Sequence, residues 1–166
     1  MAKTTEDLGN KHREFVPLVA AIEKAEEQVG QVSPRMLRLS TTDLHESIAH
    51  GLIPHAIGEG RTVFPVLRRV TGSDEVATEM NRQHREIGRL TDELERIQAE
   101  LAGSGISQEA RLRDALHELR RTLDEHFKGE EEACFAVLKD ELGPEEARGM
   151  LEAMERAAAA IGKLYE

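Results

Sequence analysis

The sequence predicts an all-α protein: an antiparallel up-down-up-down four-helix bundle with an additional C-terminal helix. Apolar residues recur at three- and four-residue steps along most of the chain, which is typical of amphipathic helices. Short segments rich in glycine, serine and proline separate these stretches, and short connections favour antiparallel neighbours. The 166 residues are 33% charged and 3% aromatic, with no tryptophan, and this composition also favours a helical protein.

The first helix is predicted to begin after Thr4 and Thr5, which are good capping residues, and to end at Gly30. Pro17 removes one backbone donor, so we expect a kink near it. The apolar face of this helix includes one histidine, and its members are Leu8, His12, Phe15, Val19, Ile22 and Val29.

The second helix is predicted to begin at Ser33-Pro34, a cap followed by proline at the first helical position. Its apolar face continues as far as Val66. Pro54 and Pro65 interrupt the backbone hydrogen bonds near its far end, so we expect a local distortion around His55.

Three further helices complete the predicted fold. The third follows the turn at Thr71-Gly72-Ser73, and the break at Gly103-Ser104-Gly105 separates it from the fourth, which ends at Gly143-Pro144. A chain of this length is expected to form one domain covering residues 1–166. The bundle would occupy residues 5–140, and the C-terminal helix would occupy residues 145–164.

The charge and the cysteine content of the sequence bear on its partners and on the compartment in which the protein works. The net charge is −10, which disfavours nucleic acid and anionic membranes as partners. A single cysteine cannot form an internal disulfide, and the N-terminal stretch lacks the apolar core of a signal peptide. The sequence therefore predicts a cytoplasmic protein that is a monomer or a weak homo-oligomer.

Six polar residues interrupt the apolar helix faces at positions where leucine would be the ordinary choice: His12, His55, Glu59, His84, His126 and Glu130. Four of them form two His-x-x-x-Glu pairs, His55 with Glu59 and His126 with Glu130. A spacing of four residues places both side chains of a pair on one face of a helix, roughly 6 Å apart. A buried histidine beside a buried glutamate is unfavourable unless a positive charge pairs with them. The two pairs therefore indicate a metal site.

An antiparallel bundle brings these six residues to one level. The start of each odd helix is level with the end of each even one, so all six are expected at one end of the bundle, facing the core. Glu131 is an alternative to Glu130, although its position relative to the apolar face favours Glu130. If the six formed only a polar core, each would need a partner among the others.

The ordered pattern His, His-x-x-x-Glu, His, His-x-x-x-Glu, with one part on each helix, resembles the hemerythrin-like family, also called HHE cation-binding domains. The resemblance extends from His12 to Leu138, most of the chain. Phe64-Pro65 is similar to the family's Phe/Tyr-Pro after the ligand glutamate, and His126-Phe127 is also typical of the family.

The resemblance implies a cofactor of two non-haem iron ions joined by an oxo or hydroxo bridge. It implies that His12 and His55 bind one iron and that His84 and His126 bind the other. The two iron ions would also be bridged by the paired carboxylates, Glu59 and Glu130.

One position departs from the oxygen-carrying members of the family, whose third helix supplies two histidines one turn apart. Here the residue one turn after His84 is Gly88, so one iron is expected to keep an open position. This favours a catalase- or peroxidase-like reaction with hydrogen peroxide, O2 or NO, with no catalytic residue assigned. The alternative is an O2- or iron-binding carrier or sensor, and a structural helical bundle is a more remote one.

The remaining histidines and the cysteine are expected to lie outside the site. His50 is five residues before His55, about 140° around the helix, and His45 is about 15 Å away along the axis. His117 is predicted on the opposite face from His126. Cys134 is expected to be a small buried residue of the core.

Overall fold

The computed structural model describes residues 6–101 and 106–164, and within them all regular structure is helical. The predicted all-α class is confirmed. The predicted cap at Thr4 and Thr5 and the break at Gly103 to Gly105 lie outside these residues. In chain order the elements are α1 (Glu6–Arg13), α2 (Val16–Gln28), α3 (Pro34–Ser47), π1 (Ile48–Leu52), α4 (Ile53–Thr71), α5 (Glu75–Glu100), α6 (Ile106–Gly129), π2 (Glu130–Phe135), α7 (Ala136–Glu141) and α8 (Pro144–Gly162).

The first predicted helix is in fact two helices. α1 ends at Arg13, and a tight turn in which the N–H of Phe15 donates to the carbonyl of His12 at 2.9 Å leads into α2. Pro17 explains the break, because it has no N–H for the carbonyl of Arg13 and it suits the first turn of α2, where that N–H has no partner within the helix. The segment that carries His12 is therefore separate from the long helix that follows it.

The second predicted helix continues from α3 through the wide turn π1 into α4. The N–H of Ile53 donates to the carbonyl of Ile48, five residues earlier. Pro54 has no N–H to donate to the carbonyl of His50, which favours this wider turn. The distortion expected near His55 is confirmed, and it lies immediately before that residue.

The second wide turn, π2, was not predicted, because the apolar spacing indicated an uninterrupted fourth helix. It begins at Glu130, and a π turn adds a residue to the helical repeat. As a result Cys134 and Phe135, four and five residues after Glu130, are both buried.

The helices bury two apolar clusters. α2 packs against α3 and α6, and α5 packs against α3, α4 and α6, whereas α8 packs mainly against α4. The first cluster includes Ile22, Leu37, Leu52, Ile87, Leu94 and Leu123. The second cluster includes Val63, Phe64, Met80, Cys134, Leu138 and Met154. Among the described residues, no helix has the length and apolar content needed to cross a membrane.

The polar residues of α4, α5 and α6 lie between these clusters along each helix. Around His55 and Glu59 of α4, Leu52 at the end of π1 precedes them and Val63 of α4 follows them. The polar layer, which the sequence predicts at one end of the bundle, therefore does not form the outermost layer at that end. Apolar side chains cover it on both sides, and α8 contributes to the second cluster.

α8 approaches α4 very closely at Gly58, one residue before Glu59. A Cβ atom added to Gly58 would lie 2.9 Å from the carbonyl oxygen of Met154 and 3.3 Å from its Cγ. Only glycine fits such an approach of one backbone to another. The packing of α8 therefore depends on this residue.

We expect Gly58→Ala to lower the free energy of unfolding by about 1–3 kcal/mol, because the added methyl group must displace the backbone of α8. Gly149→Ala is the matched control, since Gly149 is exposed on α8 and an added Cβ would meet nothing within 4 Å. The control should be as stable as the wild type or gain up to about 1 kcal/mol. Urea unfolding followed by circular dichroism measures both, and equal stability of the two variants would contradict the close approach.

Candidate metal centre

The structure brings all six polar residues together from four parts of the chain. His12 lies in the last turn of α1, His55 and Glu59 lie in α4, and His84 and His126 lie in α5 and α6, with Glu130 at the start of π2. Both glutamates are fully buried. His84 is the most exposed of the four histidines, with 10% of its side chain accessible.

The carboxylate of Glu59 faces histidines on two sides. Its Oε1 lies 2.9 Å from Nε2 of His55 and 3.5 Å from Nε2 of His12. Its Oε2 lies 3.5 Å from Nε2 of His84. One carboxylate therefore connects the histidines of α1 and α4 with the histidine of α5.

Glu130 occupies an equivalent position. Its Oε2 lies 2.9 Å from Nε2 of His12 and 3.4 Å from Nε2 of His126, and its Oε1 lies 4.0 Å from Nε2 of His84. The two Nε2 atoms of His84 and His126 are 3.1 Å apart. Glu131, the alternative considered from the sequence, is exposed and belongs to neither group of clustered residues.

Two groups of ligand atoms result, each with all its atoms within 4.8 Å of one another. One group contains His12, His55 and Glu59. The other contains His84, His126, Glu130 and, again, Glu59. Because Glu59 belongs to both groups, the two groups lie side by side.

Most of the buried ligand atoms have no hydrogen-bond partner among residues 6–101 and 106–164, although several are close to one another. These atoms are Nε2 of His12 and His55 and all four carboxylate oxygens of Glu59 and Glu130. Buried carboxylates without partners are strongly unfavourable, and a cation would satisfy them. Imidazole and carboxylate ligands suit iron, manganese or zinc. The residues present therefore fit a metal, and the cluster could hold one.

Comparison with known proteins identifies the family. The family model described as the hemerythrin HHE cation-binding domain matches residues 3–138. The chain belongs to this family. The predicted resemblance is confirmed, and the matched range contains all six clustered residues but not α8. Searches of curated proteins and of solved structures found no match.

The protonation of the hemerythrin site reflects its buried charges. Burial raises the pKa of Glu59, but His55, His12 and His84 outweigh that effect and hold the pKa well below its usual range. Burial and the charge of Glu59 raise the pKa of Glu130 to about 7. Burial lowers the pKa of His12, but Glu130 and Glu59 raise it overall to about 9. The proton that His12 holds beside Glu130 and Glu59 thus partly balances the charge of these carboxylates. A bound metal would take the place of that proton.

Gln83 is a residue of the hemerythrin site that the sequence interpretation missed. Its Oε1 lies 3.1 Å from Nδ1 of His126, and its own Nε2 donates to Oε1 of Glu79 at 3.0 Å. When Nδ1 of His126 donates to Gln83, Nε2 is left as the atom that faces Glu130. The signal was present in the sequence, because Gln83 is a polar residue on the apolar face, between Met80 and Ile87.

Phenylalanine rings surround the histidines. The rings of Phe127 and Phe135 each lie 4.8 Å from the ring of His12, measured between centroids. The centroid of the Phe15 ring lies 5.1 Å from that of the His55 ring. These rings form an apolar wall beside His12 and His55, and on the other side of the site the ring of Phe64 lies 5.4 Å from that of His84.

The other histidines lie outside both groups of ligand atoms. His50 is exposed, and Nδ1 of His117 lies 3.0 Å from Glu26 at the surface. Cys134 is fully buried, as expected, and burial together with Glu130 and Glu59 raises the pKa of its thiol. The thiol therefore stays protonated.

We expect Gln83→Leu to weaken binding of a divalent metal about 10- to 100-fold, because His126 loses the partner that orients its ring. Gln98→Leu is the matched control, since Gln98 is also buried on α5 but lies fifteen residues after Gln83, about 22 Å further along the axis. Titration of apo protein with Co²⁺ in competition with a chelator measures the affinity. If both variants lose affinity equally, the contact between Gln83 and His126 does not orient the ligand.

Proposed function

We propose that the protein binds two non-haem iron ions and reacts with a small molecule, hydrogen peroxide, O2 or NO, at an open position near Gly88. The observation that carries this proposal is the set of buried, unpartnered carboxylate oxygens that face histidines from four segments. Bound iron would supply the redox chemistry and the ligand binding. The chain supplies the ligands, their orientation and the exclusion of water.

We assign one iron to His12 and His55 and the other to His84 and His126, with Glu59 and Glu130 bridging them. The two groups of ligand atoms support this division. The shared position of Glu59 supports its role as a bridge, and so does the contact of Glu130 with both His12 and His126. The exposure of Glu131 supports the choice of Glu130.

We further propose that the helices form an antiparallel up-down-up-down bundle within a single cytoplasmic domain, covered by α8. The packing supports it: α2 contacts α3, α3 contacts α5, α5 contacts α6, and α6 contacts α2, which closes a ring of four.

The surroundings of Gly88 support an open position beside His84. Both residues line one groove, and a Cβ atom added to Gly88 would meet nothing within 4 Å. Close helix packing is therefore not the reason for glycine here. Glycine within a helix costs about 1 kcal/mol relative to alanine, so its presence is consistent with a need for space.

A carrier or sensor without turnover is the second candidate function. The ring of Phe64, stacked on that of His84 with 5.4 Å between centroids, favours it, because an apolar neighbour limits the access of water and protons to a ligand bound there. The peroxide experiment below separates these functions.

Anaerobic reconstitution with ferrous iron should load roughly two iron ions per chain. Glu59→Ala and Glu130→Ala should each lose most of this iron, because a bridging carboxylate serves both ions. Glu131→Ala and His50→Ala are the controls and should retain it, since both residues are exposed. Iron analysis after desalting gives the result, and equal losses from all four variants would refute the assignment.

Gly88→His should keep the iron, slow the decomposition of peroxide and shift the protein towards reversible O2 binding, because the new imidazole would fill the open position. Gly88→Ala is the control and should retain the wild-type rate. The measurement is initial oxygen evolution from peroxide, normalised to bound iron. A Gly88→His rate equal to that of the wild type would refute the open position, and no evolution from wild type would leave the carrier or sensor function.

A further inference from the structure

A groove of about 360 Å³ between α4 and α5 leads to His84. The residues that line it include Gly60, Arg61, Asn81, His84, Arg85 and Gly88. The accessible fraction of the side chain is 10% for His84 and 9% for His55, against 3% for His12 and 2% for His126, and of these four His84 lines the groove. The groove therefore gives small solutes a path to the His84 side of the cluster.

Two glycines line this groove and add no side chain to it. Gly88 faces empty space, and a Cβ atom added to Gly60 would lie 3.4 Å from Oδ1 of Asn81. The amide of Asn81 is held in place, because its Nδ2 donates to the carbonyl of Ala77 at 2.8 Å. A larger side chain at Gly88 would occupy the space between the solvent and His84.

Two arginines line the groove without a neutralising partner. Among the described side chains, no hydrogen bond or ion pair is made by Arg61 or Arg85. Three other arginines of α5 each pair with a glutamate three residues earlier, and these pairs are Arg82 with Glu79, Arg89 with Glu86, and Arg96 with Glu93. The groove thus carries two unneutralised positive charges in a chain whose net charge is −10.

A second groove next to Gly88 differs in charge from the groove that leads to His84. A neighbouring groove beyond Gly88 is lined by Asp92 and Glu95 together with His45 and His50. Anions approaching from that side would be repelled by the carboxylates. Arg61 and Arg85 lie on the two helices that enclose the path to His84.

We propose that this groove admits small inorganic monoanions to the His84 side of the centre and that Arg61 and Arg85 set this specificity. The inference rests on the proposed iron site, and it assigns to Arg61 and Arg85 the entry of charged ligands, beside the neutral molecules proposed above. Guanidinium groups attract anions and are weakly hydrated, so they suit a partly enclosed groove. Fixed charges along an access path raise the association rate of oppositely charged ligands.

The experiment compares a charged and a neutral probe of similar size. Azide is mixed with the oxidised iron-loaded protein, and nitric oxide is mixed with the reduced one, with absorbance followed by stopped flow. The double variant Arg61→Gln/Arg85→Gln removes the charge, and Arg96→Gln makes the same change elsewhere on α5. Gly88→Leu fills the groove without adding a metal ligand. Iron content and circular dichroism are measured first for every variant.

The double variant should bind azide about three- to tenfold more slowly at low ionic strength and bind nitric oxide at the wild-type rate. Its azide rate should converge with that of wild type near 1 M salt, where the screening length is about 3 Å. Arg96→Gln should match wild type, whereas Gly88→Leu should slow both probes.

Three results would overturn the inference while the proposed function stands, all of them with normal iron content. The first is a wild-type azide rate in the double variant, and the second is an equal loss for azide and nitric oxide. The third is unchanged binding of both probes by Gly88→Leu, which would place the path elsewhere. A wild-type chain that loads no iron would overturn both proposals before any probe is added.

Discussion

The burial of two carboxylates is the constraint on which the rest of the structure depends. Glu59 and Glu130 have no exposed surface, and none of their oxygens has a hydrogen-bond partner among the described residues. Burying an ionised carboxylate costs several kcal/mol unless opposite charge lies close by. Histidines from α1, α4, α5 and α6 surround them, and apolar clusters on both sides hold these helices together.

The irregular parts of the helices lie where these side chains must be placed. The break after Arg13 separates the short helix of His12 from α2, and π1 ends just before the turn that contains His55. π2 begins at Glu130 and lets Cys134 and Phe135 both point inward. Wide turns of this kind are less favourable than regular α-helix and are often found at functional sites. Their coincidence with the cluster supports a role in positioning ligands.

The site is asymmetric. Phenylalanine rings lie against histidines on both sides, but His84 also lines the groove beside Gly88. An iron on the His84 side would therefore be accessible to small ligands through this groove. This difference, rather than the number of ligands alone, supports chemistry at the His84 side.

The sequence by itself determined the helical class and the six clustered residues, because the apolar period shows which side of a helix faces the core and a histidine in that face is conspicuous. It could not show that Gln83 contacts His126, that α8 meets Gly58, or that apolar layers lie on both sides of the cluster. The spacing of residues along one helix defines a face. Distances between residues far apart in the chain depend on how helices pack, and only the tertiary structure decides them.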